Sequence, residues 1–498
     1  MQTTSATPIR RVVIAGGGTA GWMAAAGISK VLGKRLDITL IESDDIGTVG
    51  VGEATIPTLL HFHSLLEINE QEFMAATQAT FKLGISFENW RDVGEDYIHS
   101  FGTTGIDHWT AGFQHFWHKG RERKLAGDYG DYCLELKAAQ LNRFAHLPNS
   151  GMNYAYHLDA SRYAKFLRSF AEGYGVQRIE AKIARVNMAG NGDIASLLLD
   201  SGTVIEGDLF IDCTGFRAML IGQAMGQPYQ DWSHWLFADS AIAVQTASTR
   251  AAVPYTRSIA REAGWQWQIP LQHRVGNGIV FASRYLDDDA ARAGLLANID
   301  GEVLTDPRVI KFKPGQREKT WAGNCVALGL ASGFLEPIES TSIHLIQRGI
   351  VRLMQMFPTD GIFQTDVDEY NRQTASEIEH IRDFIILHYH VTKRRDTAFW
   401  RDCASLAVPA SLRHRIDLFA DSGRVFRMPI ELFAENSWIQ VMLGQGIHPR
   451  QHHQSADLMG DEELRGFLDN IRGTVERTVA QLPAHQQYVQ RYCGAPRP

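Results

Sequence analysis

The stretch Arg11-Val12-Val13-Ile14-Ala15-Gly16-Gly17-Gly18-Thr19-Ala20-Gly21, with the acidic residue Glu42 beyond it, decides the fold class. The apolar run Val12 to Ala15 predicts a buried parallel strand, and the alanine-rich run after the glycines predicts a helix over residues 22–32. Residues 36–41 predict a second strand, which completes a βαβ unit. Glycine at 16 permits a tight turn, glycine at 18 lets backbone amides reach a pyrophosphate, and glycine at 21 admits close packing of helix on strand. Thr19 and Ala20 open the helix, whose N-terminus turns its partial positive charge toward the phosphates. Glu42 lies 21 residues beyond Gly21, at the end of the second strand, where a ribose hydroxyl needs an acceptor. Glycine-rich turns serve many folds, but this setting points to a dinucleotide.

A second set of residues favours FAD. Gly50-Val51-Gly52-Glu53-Ala54-Thr55-Ile56-Pro57 is a glycine-rich loop soon after Glu42, able to lay backbone along an extended cofactor. Asp212-Cys213-Thr214-Gly215 ends a buried strand and resembles the short strand-turn of flavoproteins with two dinucleotide-binding folds. No separate glycine fingerprint for NAD(P)H follows, so the flavin is expected to arrive already reduced. Strands are also predicted at 183–186 and 195–199, around the turn Gly190-Asn191-Gly192, and at Cys325-Val326-Ala327-Leu328-Gly329 as the last strand of the nucleotide sheet. The predicted fold is α/β, of the two-dinucleotide-binding (GR2-type) flavoprotein class, with a substrate-side β and aromatic layer and a mainly helical C-terminal part. Its FAD-binding body spans 1–360, with FAD segments near 9–95, 155–220 and 318–360, substrate-side insertions near 96–154 and 221–317, and a helical region over 361–498.

Composition narrows the function classes. An apolar content of 44% with 21% charged residues suits a folded globular protein. The formal charge of −7 repels phosphate backbones and anionic lipid, against a nucleic-acid or membrane role. Five scattered cysteines, none at metal-ligand spacing, read as reduced core thiols in a cytoplasmic protein with no metal site. The short polar lead before Val12 fits neither a signal peptide nor a spanning helix.

Three further features carry chemistry. Lys82 stands in Phe81-Lys82-Leu83-Gly84-Ile85-Ser86-Phe87, where strand alternation would put it on a face with the small Gly84 and Ser86; a solvated surface lysine is the alternative. Gly333-Phe334-Leu335-Glu336-Pro337-Ile338-Glu339-Ser340-Thr341-Ser342 leads into a helix, so Ser340, Thr341 or Ser342 is a candidate cap and the first-turn amides are a candidate anion site. Glu339 beside them is a candidate base or stabiliser of positive charge, or simply an acid favoured at a helix N-terminus. Trp265-Gln266-Trp267-Gln268-Ile269-Pro270 places two indoles at strand spacing on one face, either as core packing or as a wall controlling access to the flavin.

Together these residues resemble the flavin-dependent halogenases of the tryptophan halogenase family. Gly16-x-Gly18-x-x-Gly21, Lys82, Trp265-x-Trp267-x-Ile269-Pro270 and Glu339-Ser340-Thr341 occur in the family's order along nearly the whole chain. The resemblance implies that a separate flavin reductase supplies FADH2, which with oxygen oxidises bromide or chloride held near the amides of Thr341 and Ser342. Hypohalous acid then passes along a channel to Lys82, which holds it by hydrogen bonding or as a haloamine. Glu339 is implied to stabilise the cationic ring intermediate and help take its proton. His99 and Phe101 match the family's stacking residues for an indole, and Ser340 is implied to touch substrate. Gly52, Glu53, Ala54, Val186, Leu330 and Ile343 are implied to line the flavin. Two departures stand out. Ser342 replaces a frequent glycine at the halide site, and Glu435-Asn436-Ser437-Trp438-Ile439-Gln440-Val441-Met442 lacks the composition of the family's segment for the amino-acid end of free tryptophan. Indole, a simple indole, or a larger indole-bearing molecule is therefore the expected substrate. A homodimer is compatible with these features, and the competing function is an aromatic hydroxylase using the same flavin directly.

Overall fold

The structure, a computed structural model, describes residues 8–46, 52–147 and 151–494. Gly50 and Val51 of the glycine-rich loop lie outside the described residues, as does the tail after Gly494. The chain falls into two compact units, each assembled from three separate segments: one comprises Met1–Gln78, Leu158–Asp239 and Ile310–Glu379, the other Ala79–His157, Ser240–Val309 and His380–Pro498.

In the first unit the strand Arg11–Ala15 lies inside a sheet, paired in parallel with Asp37–Glu42 on one side and Leu209–Asp212 on the other. Gln177–Glu180 extends one edge in parallel, and Cys325–Ala327 extends the other. The expected last strand is thus present, but Trp321–Ala322 adds an antiparallel edge beyond it. Alternation along Arg11–Ala15 sends Val13 and Ala15 to one face, where they form a core with Ile194, Leu197 and Leu199 of an antiparallel three-stranded layer. Burying a side chain the size of Leu197 stabilises by about 1.5–3 kcal/mol. On the other face Ile14 approaches the helix Thr19–Leu32 at Gly21. That helix packs on Ala160–Gly173 and on Ser342–Gln355, where Gly27 meets Ile350. The mixed layering is that of the two-dinucleotide-binding flavoprotein class.

The second unit holds most of a seven-stranded sheet in the order Arg308–Lys311, Ser240–Ala247, Arg274–Phe281, Gly264–Pro270, Tyr255–Arg261, Gly84–Glu88 and Tyr97–Ser100. From Ser240–Ala247 onward all neighbours are antiparallel except Tyr255–Arg261 against Gly84–Glu88. The strand Thr80–Lys82 pairs instead with Ala155–Asp159, because the chain breaks at Leu83 before Gly84–Glu88 begins. The aromatics after residue 101 serve mostly in packing: Phe113, Phe116, Trp117 and Tyr132 close on Leu464, Leu468 and Ile471 of the helix Asp461–Gln481. Trp109 alone of these is 91% exposed.

Trp265 and Trp267 project from the same face of their strand, with ring centroids 6.1 Å apart, and both are buried. Trp267 sits opposite Gly278 in the register, and a Cβ at Gly278 would come within 2.0 Å of the indole. Only a bare α-carbon admits that ring. Gly278→Ala is expected to destabilise the protein by about 1–3 kcal/mol through overpacking. Urea unfolding of the single variant and of Gly278→Ala with Trp267→Phe checks it, and the double variant should cost less than the two single costs added.

Candidate active site

The glycine turn is built by steric exclusion. Gly16 adopts φ +106°, and a Cβ there would lie 2.3 Å from the Cys213 carbonyl oxygen, so the turn presses against the strand that ends at Asp212. A Cβ on Gly17 would meet the Glu42 carboxylate at 1.6 Å. Around Gly18, by contrast, a Cβ would meet nothing within 4 Å. The helix that starts at Thr19 has no acidic residue in its first turn, and its N-cap Gly18 offers no side-chain capping bond. Positive dipole, open backbone and space coincide at one point, which suits a pyrophosphate. Glu42 accepts hydrogen bonds from Trp22 Nε1 at 3.3 Å and Arg178 Nε at 2.5 Å. Two carboxylate oxygens offer more lone pairs than these donors use, leaving acceptor capacity for a ribose hydroxyl.

The remaining expected flavin residues of the first unit belong to several of its elements. Gly329, at φ +62°, brings its would-be Cβ within 2.9 Å of Ala20 Cβ, which sets the short helical turn carrying Leu330 against the fingerprint helix. Ile343 is buried in the first turn of Ser342–Gln355. Gly52, Glu53 and Ala54 form a short strand. Glu53 is only partly exposed, and burial pushes its carboxyl up to about 7. Val186 packs on the core around Val13 and Leu197.

Asp212 holds the turn after its strand. Its carboxylate accepts from the backbone N–H groups of Thr214, Leu220 and Ile221 and from the Thr214 hydroxyl. Such a fully buried carboxylate is retained because charge-assisted bonds from four donors replace its lost water.

Glu339 closes a helical turn, Pro337–Glu339, and is fully buried. Ser340 follows in the left-handed region at φ 58°, a conformation costly for a side chain with a Cβ. Thr341 occupies the N-cap of Ser342–Gln355, but no side-chain capping bond is made there, and the first turn holds no acid. The pattern of an ordinary capped helix is thus not what the segment forms. What results is a helix N-terminus that the Thr341 hydroxyl does not cap, with the buried Glu339 two residues before that threonine.

That helix is pinned from behind. Arg352 Nη2 lies 2.6 Å and Arg348 Nε 2.9 Å from the Glu377 carboxylate, with His344 Nε2 at 3.3 Å and His344 Nδ1 bonded to Thr58. Burial pushes the Glu377 carboxyl up, but His344, Arg352 and Arg348 outweigh it and hold it at about 2.

In the second unit Lys82 is fully buried, which excludes a solvated surface lysine. Its Nζ lies 5.1 Å from the centroid of the Phe101 ring, within cation–π range. Phe101 N–H donates to the Leu83 carbonyl at 2.9 Å, and Leu83 N–H to the Pro254 carbonyl at 2.7 Å, so lysine and ring share one backbone frame. His99 packs against Phe384 and Phe433, which stack 3.9 Å apart, and Phe384 meets Trp438.

The segment 435–444 is a helix whose amides are committed elsewhere. Gln440 Oε1 accepts from Ser100 N–H at 2.8 Å and its Nε2 donates to the Gly102 carbonyl at 3.2 Å. Asn436 Nδ2 donates to the same carbonyl, and its Oδ1 accepts from Thr104 N–H. The pair clamps the backbone on either side of Phe101. Sequence spacing had no means of finding Trp22, Arg178, Asn436 or Gln440, since each meets its partner across 20 to 340 residues.

The first unit thus carries a dinucleotide-type turn over an acidic strand end and a helix N-terminus beside a buried glutamate, and the second carries a buried lysine facing an aromatic ring. The tryptophan halogenase family model matches residues 11–461. The tryptophan 7-halogenase RebH of Lentzea aerocolonigenes is 37% identical, over 98% of this chain and 99% of its own. Among solved structures, the flavin-dependent halogenase Xcc4156 from Xanthomonas campestris superposes with a TM-score of 0.97 at 68% identity, covering 99% of this chain and 100% of that one. BrvH, a flavin-dependent halogenase from Brevundimonas sp. BAL3, gives 0.94 at 44% identity over 98% and 99% of the two chains. The chain belongs to the tryptophan halogenase family and is a flavin-dependent halogenase, with FAD as its cofactor and halide as its co-substrate. It draws on a flavin reductase and acts on an aryl substrate. Halogenation, rather than direct hydroxylation, is its activity. Among the described residues no helix is long and apolar enough to cross a membrane.

Glu377 gives a pH test of the pinned helix. Its folded pKa is below the unfolded value of 4.5, so its contribution is present above that value and is lost as pH falls toward about 2. Glu377→Gln is expected to cost about 3–5 kcal/mol at neutral pH by leaving buried arginine unpaired. Melting temperatures of both proteins against pH should converge as pH drops through that window and stay apart above it.

Proposed function

We infer that the chain halogenates indole or a compact indole-like aromatic by electrophilic substitution, using bromide or chloride. The observation that carries this reading is the fully buried Lys82 ammonium 5.1 Å from the Phe101 ring. A flat aromatic beside Phe101 would present its edge to the lysine, and the ring could not be replaced by water without loss of stacking. That Gln440 is spent on residues 100–104 and Asn436 is turned to the same backbone supports a substrate without an amino-acid end.

The gly-rich turn residues Gly16, Gly18, Thr19, Ala20 and Gly21 would hold the pyrophosphate and Glu42 the ribose, with Gly52, Glu53, Ala54, Val186, Leu330 and Ile343 along the rest of FAD. Reduced FAD with oxygen supplies the oxidant that converts halide to hypohalous acid. The amides of Thr341 and Ser342 would hold the halide at the uncapped N-terminus of Ser342–Gln355. Lys82 would then hydrogen-bond the oxygen of hypohalous acid and protonate it as the carbon–halogen bond forms, so that it leaves as water. To Glu339 falls the stabilisation of positive charge and the uptake of a proton, to Ser340 a substrate contact, and to His99 and Phe101 of the second unit the stacking of an aromatic ring. Trp265, Trp267, Ile269 and Pro270 wall the passage and keep the substrate from the oxidant's source. FAD is assigned to segments 9–95, 155–220 and 318–360, the substrate side to 96–154 and 221–317, and support to 361–498. A cytoplasmic setting, where reductase and reduced flavin are at hand, and a homodimer complete the reading.

Supplied with FAD, a reductase and one halide at a time, the enzyme should convert indole to a halogenated product read by mass spectrometry. Free tryptophan should react more slowly. Lys82→Ala should lower product formation at least about 100-fold while reduced flavin and oxygen are still consumed. Unchanged product from that variant would remove Lys82 from the chemistry.

A further inference from the structure

The strand that carries Lys82 is tied to the end of the Trp265–Pro270 segment by a buried chain of hydrogen bonds. Thr80 Oγ–H donates to the Pro270 carbonyl at 2.7 Å, and a carbonyl can only accept, so that proton is committed. The Thr80 oxygen lies 3.0 Å from His157 Nδ1, which must therefore be the donor. His157 is fully buried, and burial first, then the nearby Lys82 and His485, holds its pKa well below the usual imidazole value. A neutral ring that donates through Nδ1 has a bare Nε2, and this accepts from the Thr256 hydroxyl at 3.0 Å. Every polar atom of the imidazole is paired and its tautomer is determined.

The strand register places this network next to Lys82. Thr80 pairs with His157 and Lys82 with Ala155, so all four share one face of the Thr80–Lys82 and Ala155–Asp159 pair. Small Ala155 leaves the lysine stem its space, and His157 stands diagonally across from it. The other titratable neighbour, His485 at the start of the C-terminal helix, is itself held by the Ala252 carbonyl at 2.7 Å and pushed down to about 4 by burial. The chain of bonds ends on the Pro270 carbonyl, which neither releases nor stores a proton. It is an orienting device and not a proton path.

We propose that His157, locked as its Nδ1–H tautomer between Thr80 and Thr256, is a positioning residue that sets the Lys82 side chain in register with the Trp265–Pro270 segment. It acts through Thr80 and touches neither substrate nor cofactor. A neutral imidazole also spares Lys82 a second positive charge on the same face. The inference rests on the reading of Lys82 as the group that delivers halogen.

The test separates delivery from oxidant formation. Thr80→Val keeps the shape of the side chain but removes its hydroxyl, and Thr80→Ser restores the hydroxyl. In the intact enzyme with FAD, reductase and bromide, Thr80→Val should lower kcat for indole by about 10²-fold, the cost of an ångström-scale misplacement. KM should change by less than about threefold. Hypohalous acid trapped by a diffusible halogen acceptor such as monochlorodimedone should not fall, and Thr80→Ser should recover most of the rate. A parallel fall in trapped oxidant and product, or no fall in product, overturns the inference. Lys82→Ala separates the two failures: product kept in that variant removes the Lys82 reading and this inference with it, whereas product lost there and kept in Thr80→Val removes the inference alone. Nitrogen-15 NMR of histidine-labelled, otherwise unaltered protein is independent of activity. The signal that vanishes in His157→Gln should show an Nδ1–H neutral ring that does not titrate between about pH 5.5 and 8, around the ordinary imidazole value; an Nε2–H ring or a titrating one overturns the proposal.

Discussion

At Gly16 the main chain passes so close to the Cys213 carbonyl that no side chain fits, and at Gly17 it passes equally close to the Glu42 carboxylate. Those two contacts determine where the first strand must end, where the helix Thr19–Leu32 must begin and where the acid at the end of the second strand must stand. The rest of the first unit builds outward from them. Asp212 fixes the neighbouring turn with four donated hydrogen bonds, and Gly329 lets a third turn touch Ala20. The turn proposed to hold the flavin is thus a consequence of backbone proximity, and a helix N-terminus turns its positive dipole end toward it.

Charge is handled in two opposite ways. Behind the helix Ser342–Gln355, Glu377 is surrounded by His344, Arg348 and Arg352, so a buried carboxylate stays ionised and the helix is held by its outer turns. Its N-terminal turn is left without a capping side chain. Around Lys82 the opposite arrangement obtains, with a buried cation beside an aromatic face, a small residue and an imidazole kept neutral. Desolvation makes both arrangements costly, and close partners offset that cost in each. The strained φ of Ser340, next to Glu339, belongs with these features.

The helix Glu435–Gly444 spends its polar side chains on the protein's own backbone. The segment lacks the composition of the family's amino-acid-binding stretch, and its Asn436 and Gln440 bond instead to the backbone on both sides of Phe101. Likewise Phe113, Phe116 and Trp117, in a stretch expected as a substrate-side insertion, close a core with the helix Asp461–Gln481. Hydrophobic composition reports burial, but not whether the buried ring faces protein or substrate.

The glycine turn, its strand and helix, and the acid at Glu42 were legible in the amino-acid sequence because all of them act over about twenty residues, where spacing and conformational preference decide the outcome. The same holds for the alternation that puts Trp265 and Trp267 on one face. Only tertiary structure decided that Lys82 is buried, that Thr341 leaves its helix uncapped, and that His157 is locked by partners 77 and 99 residues away. Burial and hydrogen-bond pairing depend on which distant segments arrive at the same place. Here three separated stretches interleave to make each unit, so no local window of sequence contains that information.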